Sequence, residues 1–197
     1  MSLPVKEHPI IFSTKLIPAI LNNEKTVTRR VIKDKWKPQI DREYLYANKA
    51  RIANLCPYGQ VGDRLWVREN LIIQPGNSAR YSDGQWIDGK PSSYNFSYYT
   101  KRGYRRKTIA SIHMPRWASR ITLEIIDIRI ERLQDISWSD IQKEGIIDYL
   151  DYSTKRELLP SFIELWNSIH KKEYTWEDNP WVWVIVFKKL ILCELKN

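Results

Sequence analysis

The sequence has little of what holds metals or staples small folds. Its 197 residues include two cysteines, Cys56 and Cys193, far apart and without metal-type spacing. That argues against a disulfide framework and a cysteine zinc site, and it is the cysteine usage of a reducing cytosol. The three histidines, His8, His113 and His170, are scattered, which disfavours a His/Cys metal cluster and a metallohydrolase. No metal and no cofactor is expected. No apolar run approaches the ~20 residues that span a bilayer, and the N-terminus lacks the apolar stretch of a signal peptide. A soluble cytoplasmic protein without membrane association is expected. The motifs G-x-G-x-x-G, P-loop and G-x-S-x-G are missing as well.

What is present is positive charge and aromatic rings. There are 32 Lys and Arg against 23 Asp and Glu, a net charge of +9. Such a balance favours anionic partners, with nucleic acid first among them. Nine Trp and eleven Tyr are unusually many; most Trp are expected in the core, and some of the aromatics can serve as stacking platforms for bases. The hydrophobic content of 43% is that of a globular chain. The length suits one well-cored domain, residues 1–197, with insertions at about 33–60 and 74–107.

Periodicity places the elements. Residues 9–12 read as a short strand. Ser13 or Thr14 caps a helix to about Asn22, with Leu16, Ile17, Ile20 and Leu21 at helical spacing. Residues 26–31 alternate, Val27 and Val31 on one face and Thr26, Thr28 and Arg30 on the other. Residues 64–70 read as a strand. Residues 121–133 switch phase between Ile125 and Ile126, which predicts a β-bulge. Ser137 caps a short helix with Asp140 in the capping-box position, and Gly145 ends it. A second helix covers about 159–170. Residues 181–190 are apolar on both faces, as a central strand is. The class is mainly β with helices, α+β.

The stretch from Lys25 to Arg30 carries the functional reading. Alone, Lys25 complements a helix dipole, Thr28 is a strand threonine and Arg30 a surface arginine. Together, a lysine, a hydroxyl and a guanidinium suit an anion or a carbonyl. Burial and a neighbouring arginine both lower a lysine's pKa, and a deprotonated lysine can activate a hydroxyl. Glu144 follows Ile141 by three residues and Trp138 by six, which reads as one inward helix face. Burial and the helix C-terminus both raise a carboxyl pKa there, which suits a general acid or base. The alternative is a frayed helix end open to water. Arg68 and Glu69 alternate on their strand, so that one points into a cavity, unless they form a cross-strand salt bridge. Lys101, Arg102, Arg105, Arg106 and Lys107 form the densest charge cluster. It is either a solvated loop or a phosphate-contacting arm with Tyr98, Tyr99 or Tyr104 to stack.

At these residues the chain resembles the ASCH domain family, whose fold is a PUA-like β-barrel. The family's helix is followed by G-x-K-x-x-[TE]-x-R, which here stands as Asn23-Glu24-Lys25-Thr26-Val27-Thr28-Arg29-Arg30. Asn23 takes the glycine position; both residue types fit a left-handed helix exit. The segments Gly62-Asp63-Arg64-Leu65-Trp66-Val67-Arg68-Glu69, Ile112-His113-Met114-Pro115-Arg116-Trp117-Ala118-Ser119-Arg120 and Asn179-Pro180-Trp181-Val182-Trp183-Val184 resemble a longer, phage-associated branch. The resemblance implies a cleft beside the barrel that binds RNA or a modified nucleoside. It also implies an alternative, an amidohydrolase acting on N4-acetylcytidine-like nucleosides. By similarity Lys25 and Thr28 match that subgroup's lysine and threonine, and Glu144 its glutamate. Lys25 would activate Thr28 or a water, Arg30 would stabilise the oxyanion, and Glu144 would shuttle the proton. A metal-independent ribonuclease using Lys25 and Arg30 is a third reading. The insertions would cover the cleft, extend it for a polymer, or serve a partner.

Overall fold

A computed structural model describes residues 4–33, 55–74, 78–88, 108–146 and 155–191, with backbone alone at 155–157. In chain order the elements are β1 (Glu7–Ile11), a 3-10 turn (Thr14–Leu16), α1 (Ile17–Leu21), β2 (Val27–Val31), β3 (Arg64–Arg68), β4 (Leu71–Gln74), β5 (Ser78–Tyr81) and β6 (Thr108–Ile109). Two further 3-10 turns (Ser111–His113 and Arg116–Ala118) lead to β7 (Thr122–Arg132). A last 3-10 turn (Leu133–Asp135), α2 (Trp138–Lys143), α3 (Lys155–Ile169) and β8 (Trp181–Lys189) follow.

Five strands form one mixed sheet in the order β1-β3-β7-β8-β2. The pair β1–β3 is parallel and the other pairs are antiparallel. The phase switch in β7 is the bulge that the sequence predicts: the register with β8 shifts between Ile125 and Asp127. The extra residue, Ile126, is pushed out and exposed. A bulge bends its strand and adds twist. The sheet curls far enough for its end strands to meet through a side chain. Arg30 on β2 donates from Nη2 to the Ile11 carbonyl of β1 at 2.6 Å. Strands decorated by short helices are the class expected from the sequence.

The central strand β8 is covered on both sides. Trp183, Ile185 and Phe187 pack inside the curl with Ile10, Phe12, Leu65, Leu123 and Ile130. Val182 and Val184 pack outward against Ile141, Leu158, Phe162 and Trp166 of the two helices. Each large apolar side chain buried this fully contributes roughly 1.5–3 kcal/mol, so the curl and the helix layer hold β8 and its neighbour β2 in place.

A second sheet, β5-β4-β6, corrects the reading of the region after residue 70. The sequence is read there as a strand over 64–70 followed by an insertion at about 74–107. The strand ends at Arg68, and the chain returns as β4. Leu71, Ala79, Tyr81, Ile109, Met114 and Ala118 give this sheet a core of its own. The strands are only two to four residues long, too short for period-two alternation to stand out. Residues 34–54 and 89–107, the bulk of the two expected insertions, lie outside the described residues.

Two chain reversals aim the site. Asn23 leaves α1 with φ 62°, the left-handed exit that asparagine tolerates. Ser137 caps α2, its hydroxyl accepting from the Asp140 amide at 3.1 Å. Gly145 then leaves α2 with φ +76°, and a Cβ there would lie 2.8 Å from Lys25 Cβ and 2.9 Å from Ala19 Cβ. Only glycine meets both demands. Gly145→Ala is expected to destabilise the fold by about 1–3 kcal/mol, as a lowered midpoint in urea unfolding; an unchanged midpoint would show that the helix exit can shift freely.

Candidate functional site

Lys25 lies in the turn between α1 and β2 and pairs with Glu144 as an isolated antiparallel bridge. The backbone fixes this junction from both sides: the Thr26 amide donates to the Lys143 carbonyl at 2.9 Å, and the Phe187 amide donates to the Thr26 carbonyl at 2.9 Å. The Lys25 side chain is buried. Its Nζ donates to the Val27 carbonyl at 2.8 Å, the Glu144 carbonyl at 2.8 Å and Glu144 Oε2 at 2.6 Å. Three acceptors match the three protons of an ammonium. Burial pushes the lysine's pKa down, Glu144 pulls it back up, and the charges of Arg30 and Arg29 push it down again.

Glu144 is not a frayed end. It is the C-cap of α2 and is buried. Its second carboxylate oxygen, Oε1, accepts from Arg29 Nη1 at 3.1 Å. Arg29 also reaches Asp140 Oδ2 at 2.8 Å and Glu131 Oε2 at 3.2 Å. Arg129 contacts the same two carboxylates. Three cations thus face three carboxylates between β2, β7 and α2. Asp140, read from the sequence as a capping-box residue, instead spends its carboxylate on two arginines. Trp138, read as sharing the inward face of Ile141 and Glu144, is 38% exposed. Six residues along a helix lie about 240° round it, not on the same face.

Arg29 is the site residue that sequence reasoning missed. It shares the period-two face of Val27 and Val31, which packs toward the helices. An arginine placed between two core valines is the signal that would have found it, because a buried guanidinium needs carboxylates.

A cavity of about 640 Å³ opens beside this cluster, at the seam between β1 and β2 and under α3. Lys25, Thr28, Arg30 and Glu144, the residues singled out in the sequence, all line it. Phe12, Tyr58, Trp166 and His170 supply ring surface to its wall. The Arg30 guanidinium lies 5.1 Å from the Phe12 ring centre and 5.9 Å from that of Tyr58. His170 stacks on Trp166, ring centres 4.3 Å apart. Burial, and after it the Arg30 charge, lowers the His170 pKa.

The other expected site residues lie elsewhere. Arg68 and Glu69 do not line the cavity. Arg68 lies over the Trp66 ring at 4.7 Å. Glu69 is buried and receives both ends of the Arg120 fork, at 2.9 and 3.0 Å. Arg120 also holds Asp83 at 2.6 Å and covers Tyr81, so this pair ties the second sheet to the first. Lys101, Arg102, Arg105, Arg106 and Lys107 lie outside the described residues. Among the described residues, no three His, Cys, Asp or Glu side chains are grouped to hold a metal ion, and no helix is long and apolar enough to cross a membrane.

No protein-family model matches the chain, and no curated protein does. Among solved structures, the chain is similar to the ASCH domain from Lactobacillus crispatus JV V101. Identity is 13%, the match covers 93% of this chain and 79% of that one, and the TM-score is 0.43. It is also similar to protein EF3133 from Enterococcus faecalis V583, at 10% identity over 96% of this chain and 83% of that one, with a TM-score of 0.43. At these identities and TM-scores the likeness carries no argument about fold family or activity, which rest on the geometry alone.

Two outcomes follow from the site. Lys25→Met removes one partner of a buried ion pair and is expected to cost about 3–5 kcal/mol, measured by urea unfolding; a loss below ~1 kcal/mol would mean that Glu144 rests on Arg29 alone. His170 should titrate below the ordinary histidine value of 6.5. The unfolded chain then binds more protons than the folded one as pH falls, so stability drops through pH 6.5 and levels off below the folded midpoint. Arg30→Gln should raise the NMR midpoint of His170 only part of the way, because burial is the larger cause; a midpoint unmoved by the variant would separate the two residues.

Proposed function

We propose that the cavity binds a nucleoside unit, either as a free modified nucleoside or within RNA. One observation carries this reading: a single cavity of about 640 Å³ is lined by aromatic rings and by a buried cation–carboxylate pair with a threonine, the Lys25 ammonium lying 5.7 Å from the Phe12 ring centre. The volume lies in the range of small-molecule sites. Rings offer a face for a base, and the Thr28 hydroxyl with the remaining lone pairs of Glu144 offers a donor and acceptors for its edge. The net charge of +9 favours a nucleic-acid partner. The expected setting is the cytoplasm, where Cys56 stays a buried free thiol with its pKa raised to about 11.

The second reading is hydrolysis of an acylated nucleoside amide, favoured by the 2.6 Å contact between Lys25 and Glu144 in the same wall as Thr28. Lys25 holds three acceptors as an ammonium, so it must first hand a proton to Glu144 before acting as a base. The free amine would then take the proton of Thr28 or of a water as that oxygen attacks the acyl carbon. Arg30 would face the developing oxyanion. Glu144 would return its proton to the departing nitrogen as the C–N bond breaks. Where Thr28 is the attacking oxygen, a water deprotonated by the same amine would then cleave the acyl–Thr28 ester, the Glu144 proton going to the departing Thr28 oxygen.

Incubation with N4-acetylcytidine, followed by chromatography for cytidine, separates the two readings. Hydrolysis predicts turnover that falls by about a hundredfold or more in Glu144→Gln. Folded protein without turnover leaves the binding reading. That reading predicts affinity for single-stranded RNA, seen by tryptophan fluorescence, that weakens steeply from about 50 to about 200 mM salt; the absence of both turnover and binding would remove the nucleoside reading altogether.

A further inference from the structure

The cations of this protein are not distributed evenly with respect to carboxylates. Arg29, Arg120 and Arg129 each meet two or more of them. Arg30 meets none among the described residues. Its Nη2 donates to the Ile11 carbonyl, its Nε is buried without a hydrogen-bond partner, and the rings of Phe12 and Tyr58 flank it without cancelling its charge. A donor left unmet in a buried position costs free energy unless something fills it.

The surroundings of Arg30 repeat the imbalance. Lys15, Lys25, Arg29, Arg30 and Lys33 line the cavity, and Glu144 is the one carboxylate on its wall among the described residues. Glu144 is already divided between Lys25 and Arg29. Lys15 and Lys33 are exposed, so the uncompensated charge sits with Arg30 toward solvent. His170, at the end of α3, lines the same cavity. The charged groups that line the wall with it are Arg30 from β2, Lys15 from the 3-10 turn, Lys33 beyond β2, and the already paired Lys25, Arg29 and Glu144.

We propose that Arg30, Lys15, Lys33 and His170 form a subsite for a phosphoryl group, so that the ligand is a nucleoside unit carrying phosphate. The subsite rests on the nucleoside reading for what lies deeper in the cavity, but not for the anion itself. A guanidinium fork matches two oxygens of a phosphoryl group. The two lysines add point charge. A phosphate monoester carries about −1.5 to −2 at neutral pH, which suits a group of cations better than a single carboxylate would. The phosphoryl group can belong to a free nucleotide or to an RNA backbone.

The probes are cytidine, cytidine monophosphate, a short single-stranded RNA without terminal phosphate, and inorganic phosphate, each titrated by calorimetry with the His170 ring followed by NMR. The monophosphate is expected to bind about ten-fold or more tightly than cytidine. Phosphate is expected to compete with it and to raise the His170 midpoint, because an anion beside Arg30 offsets the charge that opposes protonation. In Arg30→Gln the ratio of monophosphate to cytidine affinity should fall to about one. The double variant Lys15→Gln/Lys33→Gln changes exposed residues and should reduce the same ratio without disturbing the fold. Equal affinity for cytidine and its monophosphate overturns the subsite and leaves the nucleoside reading standing. Phosphate binding that moves His170, with no added affinity from the cytidine moiety, supports the subsite and removes the nucleoside reading. Tighter binding of the RNA than of the monophosphate assigns the group to a backbone diester, and the reverse assigns it to a free nucleotide. Failure of every phosphorylated probe to bind folded protein overturns the proposal.

Discussion

The bond between Lys25 and Glu144 is the constraint on which the rest of the site depends. An ammonium and a carboxylate removed from water lose several kcal/mol of solvation each, and only close geometry with every hydrogen bond made recovers it. The fold provides that geometry by bringing two chain reversals together. One is the Asn23 exit from α1 and the other is the Gly145 exit from α2. Their backbones form a bridge, and the contact with Gly145 is so tight that a methyl group has no room. Lys25 is thereby held with all three protons committed, and Glu144 is aimed across the cavity wall.

That pair extends into a layer of charge under the helices. Arg29 satisfies the other oxygen of Glu144 and then spreads to Asp140 and Glu131, which Arg129 shares. Such a network is weak evidence for stability, because apolar residues of equal volume would serve as well. Its effect is on position: three elements far apart in sequence are locked in register by six charges. The orientation of β2 follows, and with it the alternation that places Arg29 in the network and Thr28 and Arg30 on the cavity. The protein neutralises one face of β2 completely and leaves the other face cationic. That asymmetry is the basis of the proposed anion subsite.

Much of this was readable in the chain. The bulge in β7, the Ser137 cap, the Gly145 stop and the two-sided burial of β8 each have a local cause in pattern or turn chemistry. Lys25, Thr28, Arg30 and Glu144 were singled out by residue type, and they line one cavity. Arg29, Asp140 and Glu131 were not, because each looks ordinary in its own segment. Arg29 is one arginine among many, Asp140 fits a capping box, and Glu131 fits a strand edge. Their meeting depends on β2, β7 and α2 packing together, and single-sequence periodicity carries no information about pairs more than a hundred residues apart. The placement of Arg68 and Glu69 away from the cavity is hidden for the same reason. Alternation says that they point to opposite faces, but not that Arg120 waits on one of them.

The sequence by itself determined the elements of the main sheet and its helices, the charge excess and the residue types available for chemistry, since these follow from spacing, capping and composition. Tertiary structure alone decided which cations are neutralised and which remain free. That choice is made by carboxylates brought in from distant strands, at distances where a hydrogen bond exists or does not. Arg29 and Arg30 are adjacent and chemically identical. One is sealed among three carboxylates and the other opens on a cavity among aromatic rings, and only the packing of the sheet against its helices separates them.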